Sequence, residues 1–305
     1  MATSRGGAQR ARRPGAGKGG FRTLGLILPD SANPFFAEIL RELEASAFAA
    51  GFSVVLCNSE NDREKERRYV DVLVRNRVDG LLLVSAGDRG ALSRARLPEG
   101  LPLVALDREG PRPGVDCVVA DHAAGGRLAT RHLIALGHRH IGCITGPRRV
   151  SSGVQRLGGY RLALEEVGLP VERGLVQVGD FHPESGWACA RRMLAQRPPP
   201  TAIFACNDLM AMGVLRAAHE LGRVVPRDLA VVGYDDIELC RYTIPPLSTV
   251  AQPKREMARE ALRLMARRLR EPRAAPVQRH LPVSLEVRET CGGVPARPAG
   301  AGPPK

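Results

Sequence analysis

From Thr23 onward the sequence alternates short apolar runs with longer amphipathic stretches, and this alternation limits the fold more than any other feature. The short runs, rich in Val, Ile and Leu, are typical of strands that are buried on both faces, whereas the longer stretches carry apolar residues at helical spacing. A parallel sheet that is covered by helices on both sides imposes this arrangement. The sequence therefore predicts an α/β fold built from βαβ units.

The predicted strands and helices follow one another along the whole central part of the chain. Strands are predicted at 24–28, 53–57, 80–84, 103–106, 117–120, 141–145, 175–178, 202–206 and 229–232, with later strand-like runs near 248 and at 281–287. Helices are predicted at 34–50, 62–77, 123–136, 155–167, 184–196 and 209–221. One large sheet would accommodate these strands, but a length of 305 residues favours two sheets in two lobes.

Composition and cysteine usage indicate a globular intracellular protein. Apolar residues make up 44% of the chain and charged residues 25%, which suits a folded core. The seven cysteines are an odd number without a C-x-x-C pair, so neither a disulfide framework nor a zinc site is indicated. The N-terminus lacks the apolar run of a signal peptide, and no run approaches the roughly 20 residues of a membrane helix. We therefore expect a cytoplasmic protein that has no membrane anchor, metal or cofactor.

Both ends of the chain differ in composition from its centre. The net charge is +13, and residues 1–22 hold six basic residues, six glycines and no acidic residue. This segment has no apolar periodicity, so a disordered basic tail is predicted, although such a tail can also contact nucleic acid phosphates nonspecifically. Residues 291–305, which are rich in Gly, Pro and Ala, are likewise predicted to be disordered.

Polar and aromatic residues stand directly after several predicted strands, where open α/β sheets bind their ligands. The series comprises 33–36 after the first strand, Asp107 and Arg108 after the fourth, Asp121 after the fifth, Asn207 and Asp208 after the eighth and Asp235 after the ninth. Helix capping and turn formation explain any single Asp or Asn among them. They do not explain the arginines and phenylalanines, so the series predicts a cleft whose residue types suit a sugar better than a reaction.

The motifs that surround these residues resemble, in order, those of one family. They include GLILPDSANPFF, RVDGLLLV, HLIALGHRHIGCITGP, AIFACNDLMAMGVLRAAHELG and VPRDLAVVGYDDIELCRYTIPPLSTVAQP. Over about residues 22–291 the chain resembles the lactose/galactose-repressor family of bacterial transcription regulators. The resemblance is strongest to ribose operon repressors, in VVLCNSEND, CITGP, VGDF and VVGYDDIEL. It implies a type I periplasmic-binding-protein-like module, with two Rossmann-like lobes that contain parallel sheets.

The resemblance also implies lobe boundaries and a ribose-type pocket. Residues 23–120 with 253–280 would form the N-terminal lobe, and residues 121–252 with 281–290 the C-terminal lobe, between tails at 1–22 and 291–305. Carried over to this sequence, the pocket residues are Asn33, Phe35, Phe36, Asp107, Arg108, Arg156, Phe181, Asn207, Asp235 and Gln252, with Asp121 as a further candidate at the cleft or a crossover. The phenylalanines would sandwich the apolar faces of a pyranose, and the polar groups would bind its hydroxyls.

The resemblance implies a sugar-responsive transcription regulator whose effector is ribose or a related pentose. Closure of the cleft on the sugar would shift the orientation of the lobes in a homodimer and so control DNA binding. Family members carry about 60 residues of helix-turn-helix and hinge helix before the first strand. Only 22 residues precede it here, so we expect operator binding only where a longer gene product supplies that head.

Two other classes of protein remain as alternatives. A sugar-binding receptor of a transport system shares the fold and the pocket, but it needs an export signal. A sugar-processing enzyme would need catalytic groups, yet 15–20 lacks the spacing of a phosphate loop and no Ser, His and Asp set is evident. His132, His138 and His140 lack the spacing of helical metal ligands. We therefore predict no catalytic residue and no metal ligand.

Overall fold

Two six-stranded sheets organise the part of the chain that this computed structural model describes, residues 22–87, 100–109 and 114–293. The first sheet has the order β11-β5-β4-β3-β1-β2, and all neighbouring strands are parallel. Its strands are β1 (Arg22–Leu28), β2 (Phe52–Asn58), β3 (Gly80–Leu83), β4 (Leu103–Leu106), β5 (Asp116–Ala120) and β11 (Gln278–Leu281).

The second sheet has the order β12-β10-β9-β8-β6-β7, and only its edge pair β10 and β12 is antiparallel. Its strands are β6 (Ile141–Thr145), β7 (Val176–Val178), β8 (Ala202–Ala205), β9 (Ala230–Asp235), β10 (Ser248–Ala251) and β12 (Ser284–Glu286). The central strands β6, β8 and β9 are buried at every position, as helices on both faces require. The predicted α/β class with two parallel sheets is thus confirmed.

Helices cover the sheets and pack mainly in pairs, α3 on α4, α5 on α6 and α1 on α7. They are α1 (Pro34–Ala49), α2 (Arg63–Arg75), α3 (His122–Ala135), α4 (Ser151–Glu165), α5 (Pro183–Leu194), α6 (Asp208–Glu220) and α7 (Lys254–Arg270). At the N-termini of four helices a side-chain oxygen of the capping residue accepts hydrogen bonds from backbone N–H groups of the first turn. The capping residues are Asn33, Asp62, Asp121 and Asn207. No helix among the residues that the structure describes is long and apolar enough to cross a membrane.

Helix α7 was missed in the sequence. Its buried face consists of Met257, Ala258, Ala261, Leu264 and Met265, and it packs against α1 and against strands of the first sheet. The apolar stripe is present, but many arginines separate its members and lower the mean hydropathy of the segment. The arginines lie on the outer face of the helix or at its end, which a reading of average hydropathy does not reveal.

The chain passes between the two sheets three times, after β5 at Asp121, after β10 at Gln252 and after β11 at Pro282. The last passage corrects one prediction, because the run 281–287 is not one strand. Leu281 pairs with Ala120 in the first sheet, whereas 284–286 pairs with β10 in the second. Pro282 has no backbone N–H to donate to a ladder, so a strand ends there.

Both predicted tails included residues that belong to the fold. Arg22 begins β1, and its backbone N–H donates to Gly51 O at 3.1 Å. Cys291 is only 2% exposed, and its Sγ accepts a hydrogen bond from Ser248 Oγ at 3.1 Å. Gly292 and Gly293 are described as well, whereas residues 1–21 and 294–305 lie outside the described residues.

Candidate functional site

A cavity that is partly open to solvent lies between the two sheets. Loops at the carboxyl ends of strands from both sheets form its walls, together with the first turns of α1 and α4. The lining residues are Asp30, Asn33, Phe35, Phe36, Asn61, Asp107, Arg108, Ser152, Arg156, Asp180, Phe181, His182, Asn207 and Asp235. We refer to this cavity as the cleft.

The structure brings nearly all of the predicted pocket residues together in the cleft. Gln252 is the exception, since it lies behind the wall and its Nε2 donates to Asp235 Oδ1 at 2.8 Å. Asp121 is exposed and caps α3 by accepting from Ala124 N at 2.9 Å, so the ordinary capping role explains it. Sequence analysis missed Asp30, Asn61, Ser152, Asp180 and His182, which carry no signal beyond their position in polar loops.

Arg156 is the most firmly held charge in the cleft. Its Nη1 donates to Cys206 O at 2.6 Å and lies 3.4 Å from Asp235 Oδ1. Its guanidinium carbon stands 3.8 Å from the centre of the Tyr234 ring, which is a cation–π contact. A buried cation held on three sides is preorganised to meet a ligand without losing side-chain entropy.

Arg108 supplies a second buried cation from the first sheet. Its Nη1 donates to Ser85 O at 2.6 Å and to Asn61 Oδ1 at 3.1 Å, while its guanidinium lies 5.9 Å from the Phe36 ring centre. Burial lowers the pKa of Arg108 to about 10, so the group remains charged at neutral pH. Its Nε hydrogen has no acceptor in the described part of the chain.

Two carboxylates complement these cations. Burial raises the pKa of Asp107, and the charges of Arg156 and Arg108 oppose that effect. Burial likewise raises the pKa of Asp235, against the charge of Arg156. Asp107 Oδ1 and Gln252 Oε1 are buried and without hydrogen-bond partners among the described residues. Buried polar atoms normally have hydrogen-bond partners, so a polar ligand in the cleft would supply one to Asp107 Oδ1.

Four cleft residues have a positive φ, a backbone conformation that residues other than Gly rarely adopt. The φ angles are 55° at Asn61, 64° at Asp107, 74° at Phe181 and 117° at Asp235. Such conformations cost of order 1–3 kcal/mol each and persist only where the surrounding structure enforces them. Because these strained conformations cluster at one cavity, the placement of its side chains is maintained there at a cost in folding stability.

Aromatic rings form apolar walls on both sides of the cleft. Phe35 and Phe36 meet edge to face, with ring centres 5.1 Å apart. Phe181 faces them from the second sheet, and its backbone carbonyl accepts from Asn207 Nδ2 at 2.9 Å. The Asn207 Oδ1 atom accepts from Met210 N at 3.0 Å, so this amide both caps α6 and positions Phe181.

Comparison with known proteins matches this geometry to one family. The profile of a periplasmic binding protein-like domain matches residues 130–291. The HTH-type transcriptional repressor PurR of Haemophilus influenzae is 39% identical over 250 residues, which cover 81% of this chain and 74% of that protein. The chain belongs to the LacI family of transcriptional regulators. The expected resemblance is therefore confirmed, and the matched LacI-family relatives are repressors rather than enzymes.

Solved structures of LacI-family regulators superpose on the chain. The complex of the transcriptional regulator CelR with cellobiose has a TM-score of 0.81 and 36% identity, covering 89% of this chain and 85% of that one. A LacI-family regulator from Enterococcus faecium with bound ribose has a TM-score of 0.80 and 30% identity, covering 90% of this chain and 100% of that one. The fold of this LacI-family chain is thus that of an effector-binding module.

Sequence analysis also missed His122, a buried residue that makes contacts with both sheets. It is the first residue of α3, and its Nε2 lies 2.8 Å from the backbone oxygen of Asp107 on the first sheet. Its Nδ1 lies 3.4 Å from Tyr234 Oη on the second sheet. The available signal was its place directly after a predicted strand, beside Asp121, but a single His in such a loop has many ordinary explanations.

Proposed function

We propose that this chain is the effector-binding and dimerisation module of a sugar-responsive transcription regulator, and that ribose or a related pentose is the effector. The observation that carries the proposal is the composition of the cleft. Phenylalanine rings from both sheets face a space that also contains two buried arginines and two buried carboxylates. Sugars offer apolar C–H faces and directional hydroxyls, and a hydroxyl missing from an analogue would leave one of these groups unpaired.

Closure of the cleft is the proposed response to the effector. We assign 23–120 with 253–280 to one lobe and 121–252 with 281–290 to the other. Polar contacts join them around the cleft, such as Gln155 Nε2 donating to Glu109 Oε1 at 2.8 Å and Glu238 N donating to Glu38 Oε1 at 2.9 Å. A ligand that contacts both lobes stabilises the closed form over the open form and shifts the population between them.

A homodimer is proposed on the basis of exposed apolar side chains. The strand β2 is an edge of the first sheet, with Val55 and Leu56 exposed. Between β9 and β10 of the second sheet, Tyr242 is 72% exposed and Ile244 is 96% exposed. Exposed edges with apolar side chains pair with other chains unless they are covered. A second copy of this chain would cover both patches.

Control of transcription would follow from the dimer. LacI-family regulators bind small effectors and operator DNA. We propose that lobe closure changes the spacing of two DNA-binding heads, where a longer gene product supplies a helix-turn-helix, and that the protein acts in the cytoplasm.

The effector assignment is tested by thermal unfolding against a panel of candidate ligands. The panel contains ribose, other pentoses, cellobiose and purine bases, since flat heterocycles also stack on aromatic rings. We expect a pentose to raise the melting temperature in a saturable way, because a ligand that binds only the folded state stabilises it. Stabilisation by purine bases or by cellobiose alone would replace the pentose assignment.

A further inference from the structure

A second cavity, partly open to solvent, adjoins the cleft, and Arg108 lines both. The first sheet contributes the loops that follow β3 and β4, and the second contributes the segment leading into α4. The polar groups in its wall are Ser85, Arg108, Arg148, Arg149, Ser151 and Gln155, together with Glu109. We call it the arginine pocket.

Two arginines of the arginine pocket have no opposite charge beside them among the described residues. Arg148 and Arg149 are exposed, and neither has a hydrogen-bond or ion-pair partner among the described residues. The carboxylate of Glu109, the acidic member of the wall, accepts from Gln155 Nε2 at 2.8 Å. Burial lowers the pKa of Arg108, and the charges of Arg156 and Arg149 add to that effect while those of Asp107 and Glu66 oppose it. The cations therefore repel one another, and an anion would relieve that repulsion.

Two further features favour an anion at the same place. Helix α4 begins at Ser151, and Val150 before it offers no side-chain acceptor to the free backbone N–H groups of the first turn. The Nε hydrogen of the buried Arg108, which lines both cavities, has no acceptor in the described part of the chain. Donors from both lobes thus converge around one space.

We propose that the arginine pocket binds a phosphate-class dianion. Guanidinium groups present forked donors that match phosphate oxygens, and the two arginines without a partner, Arg148 and Arg149, supply two positive charges that a dianion balances. One source is the phosphate of a phosphorylated sugar whose ring lies in the cleft, which rests on the proposed function. The other is free phosphate bound beside a neutral sugar. Because the pocket is built from both sheets, either ligand stabilises the closed cleft.

Titration calorimetry at constant ionic strength tests the pocket, with inorganic phosphate as the first probe and sodium chloride as the blank. We expect one saturable phosphate site in the wild type, and binding weaker by about tenfold or more in Arg148→Ala/Arg149→Ala. Replacement of both residues by Lys should retain part of the affinity. The matched control Arg173→Ala removes another exposed arginine that has no side-chain partner among the described residues. It lies before β7, at the end of that strand away from the cleft, and the substitution should change nothing.

Ribose and ribose 5-phosphate are the second pair of probes. A preference for the phosphate ester that disappears in the double Ala variant identifies a phosphorylated effector. Simultaneous binding of ribose and inorganic phosphate identifies free phosphate. Absence of any saturable phosphate binding, or equal affinity in wild type and double variant, overturns the proposal. If ribose alone still binds, the proposed function survives that result, and if phosphate binds but no sugar does, the pocket stands and the sugar assignment falls.

Discussion

His122 and Arg156 face each other beneath the cleft, with Arg156 Nε 3.4 Å from His122 Nδ1. The other ring nitrogen, Nε2, lies 2.8 Å from the Asp107 carbonyl oxygen, which only accepts hydrogen bonds. Nε2 therefore carries the hydrogen and Nδ1 is the acceptor, so the ring is neutral. Burial, followed by the charge of Arg156, holds the pKa of His122 well below its ordinary value of 6.5.

The depressed pKa of His122 predicts a pH dependence of stability. Below about pH 6.5 the unfolded chain protonates this residue and the folded chain does not, so the free energy of unfolding falls by up to about 1.4 kcal/mol per pH unit. In His122→Gln this contribution is absent. Urea unfolding of both proteins from pH 8 to pH 5 measures it, and the advantage of wild type over variant should shrink with acidification. Parallel pH profiles would contradict the assignment.

Removal of Arg156 should be costly for stability as well as for binding. Arg156→Ala leaves the buried carboxylate of Asp235 uncompensated, and breaking a buried ion pair costs about 3–5 kcal/mol. Asp235→Asn in the same chain should recover part of that loss. Arg127→Ala is the control, because its pair with Glu166 at 2.6 Å is exposed and contributes about 0–1 kcal/mol. Additive effects of the two cleft substitutions in denaturant unfolding would rule out coupling.

Two substitutions at Phe181 separate the effect of backbone strain on stability from the effect of the ring on effector binding. With φ of 74°, Gly at this position relieves a conformation that Ala does not, so Phe181→Gly should be more stable than Phe181→Ala by about 1–2 kcal/mol. Both variants remove the ring, and both should lose effector affinity to the same extent. Unfolding experiments and calorimetry on the pair measure the two effects. Equal stability of the variants would show that the backbone is unstrained.

Gly146 is required by the close approach of Phe181. A Cβ at Gly146 would lie 2.0 Å from Phe181 Cζ, so Gly146→Ala should displace the ring and destabilise the fold by about 1–3 kcal/mol. Gly158, within α4, has open space around it, and Gly158→Ala should instead stabilise by up to about 1 kcal/mol. We expect weaker effector binding in Gly146→Ala but not in Gly158→Ala. Unchanged affinity in Gly146→Ala would remove Phe181 from the binding surface.

The sequence was sufficient to predict the two sheets and the cleft because both follow from local patterns. Buried strands show as continuous apolar runs, and their carboxyl ends must gather at one edge of each sheet. Hydrogen bonds between residues that are far apart in the chain leave no comparable pattern in the sequence. The place of Gln252 behind Asp235, and the link of His122 to both sheets, depend on residues far apart in the chain. Helix α7 was missed because its arginines outweigh a regular apolar stripe.

Calorimetric titration of the folded protein with ribose and the other pentoses tests the central claim most directly. Wild type should bind one pentose per chain with saturable heat, and Arg156→Lys, which keeps the charge but loses the forked donors, should bind at least about tenfold more weakly. Circular dichroism on the same samples confirms that both are folded. Absence of heat from every pentose with the folded wild-type protein would contradict the account.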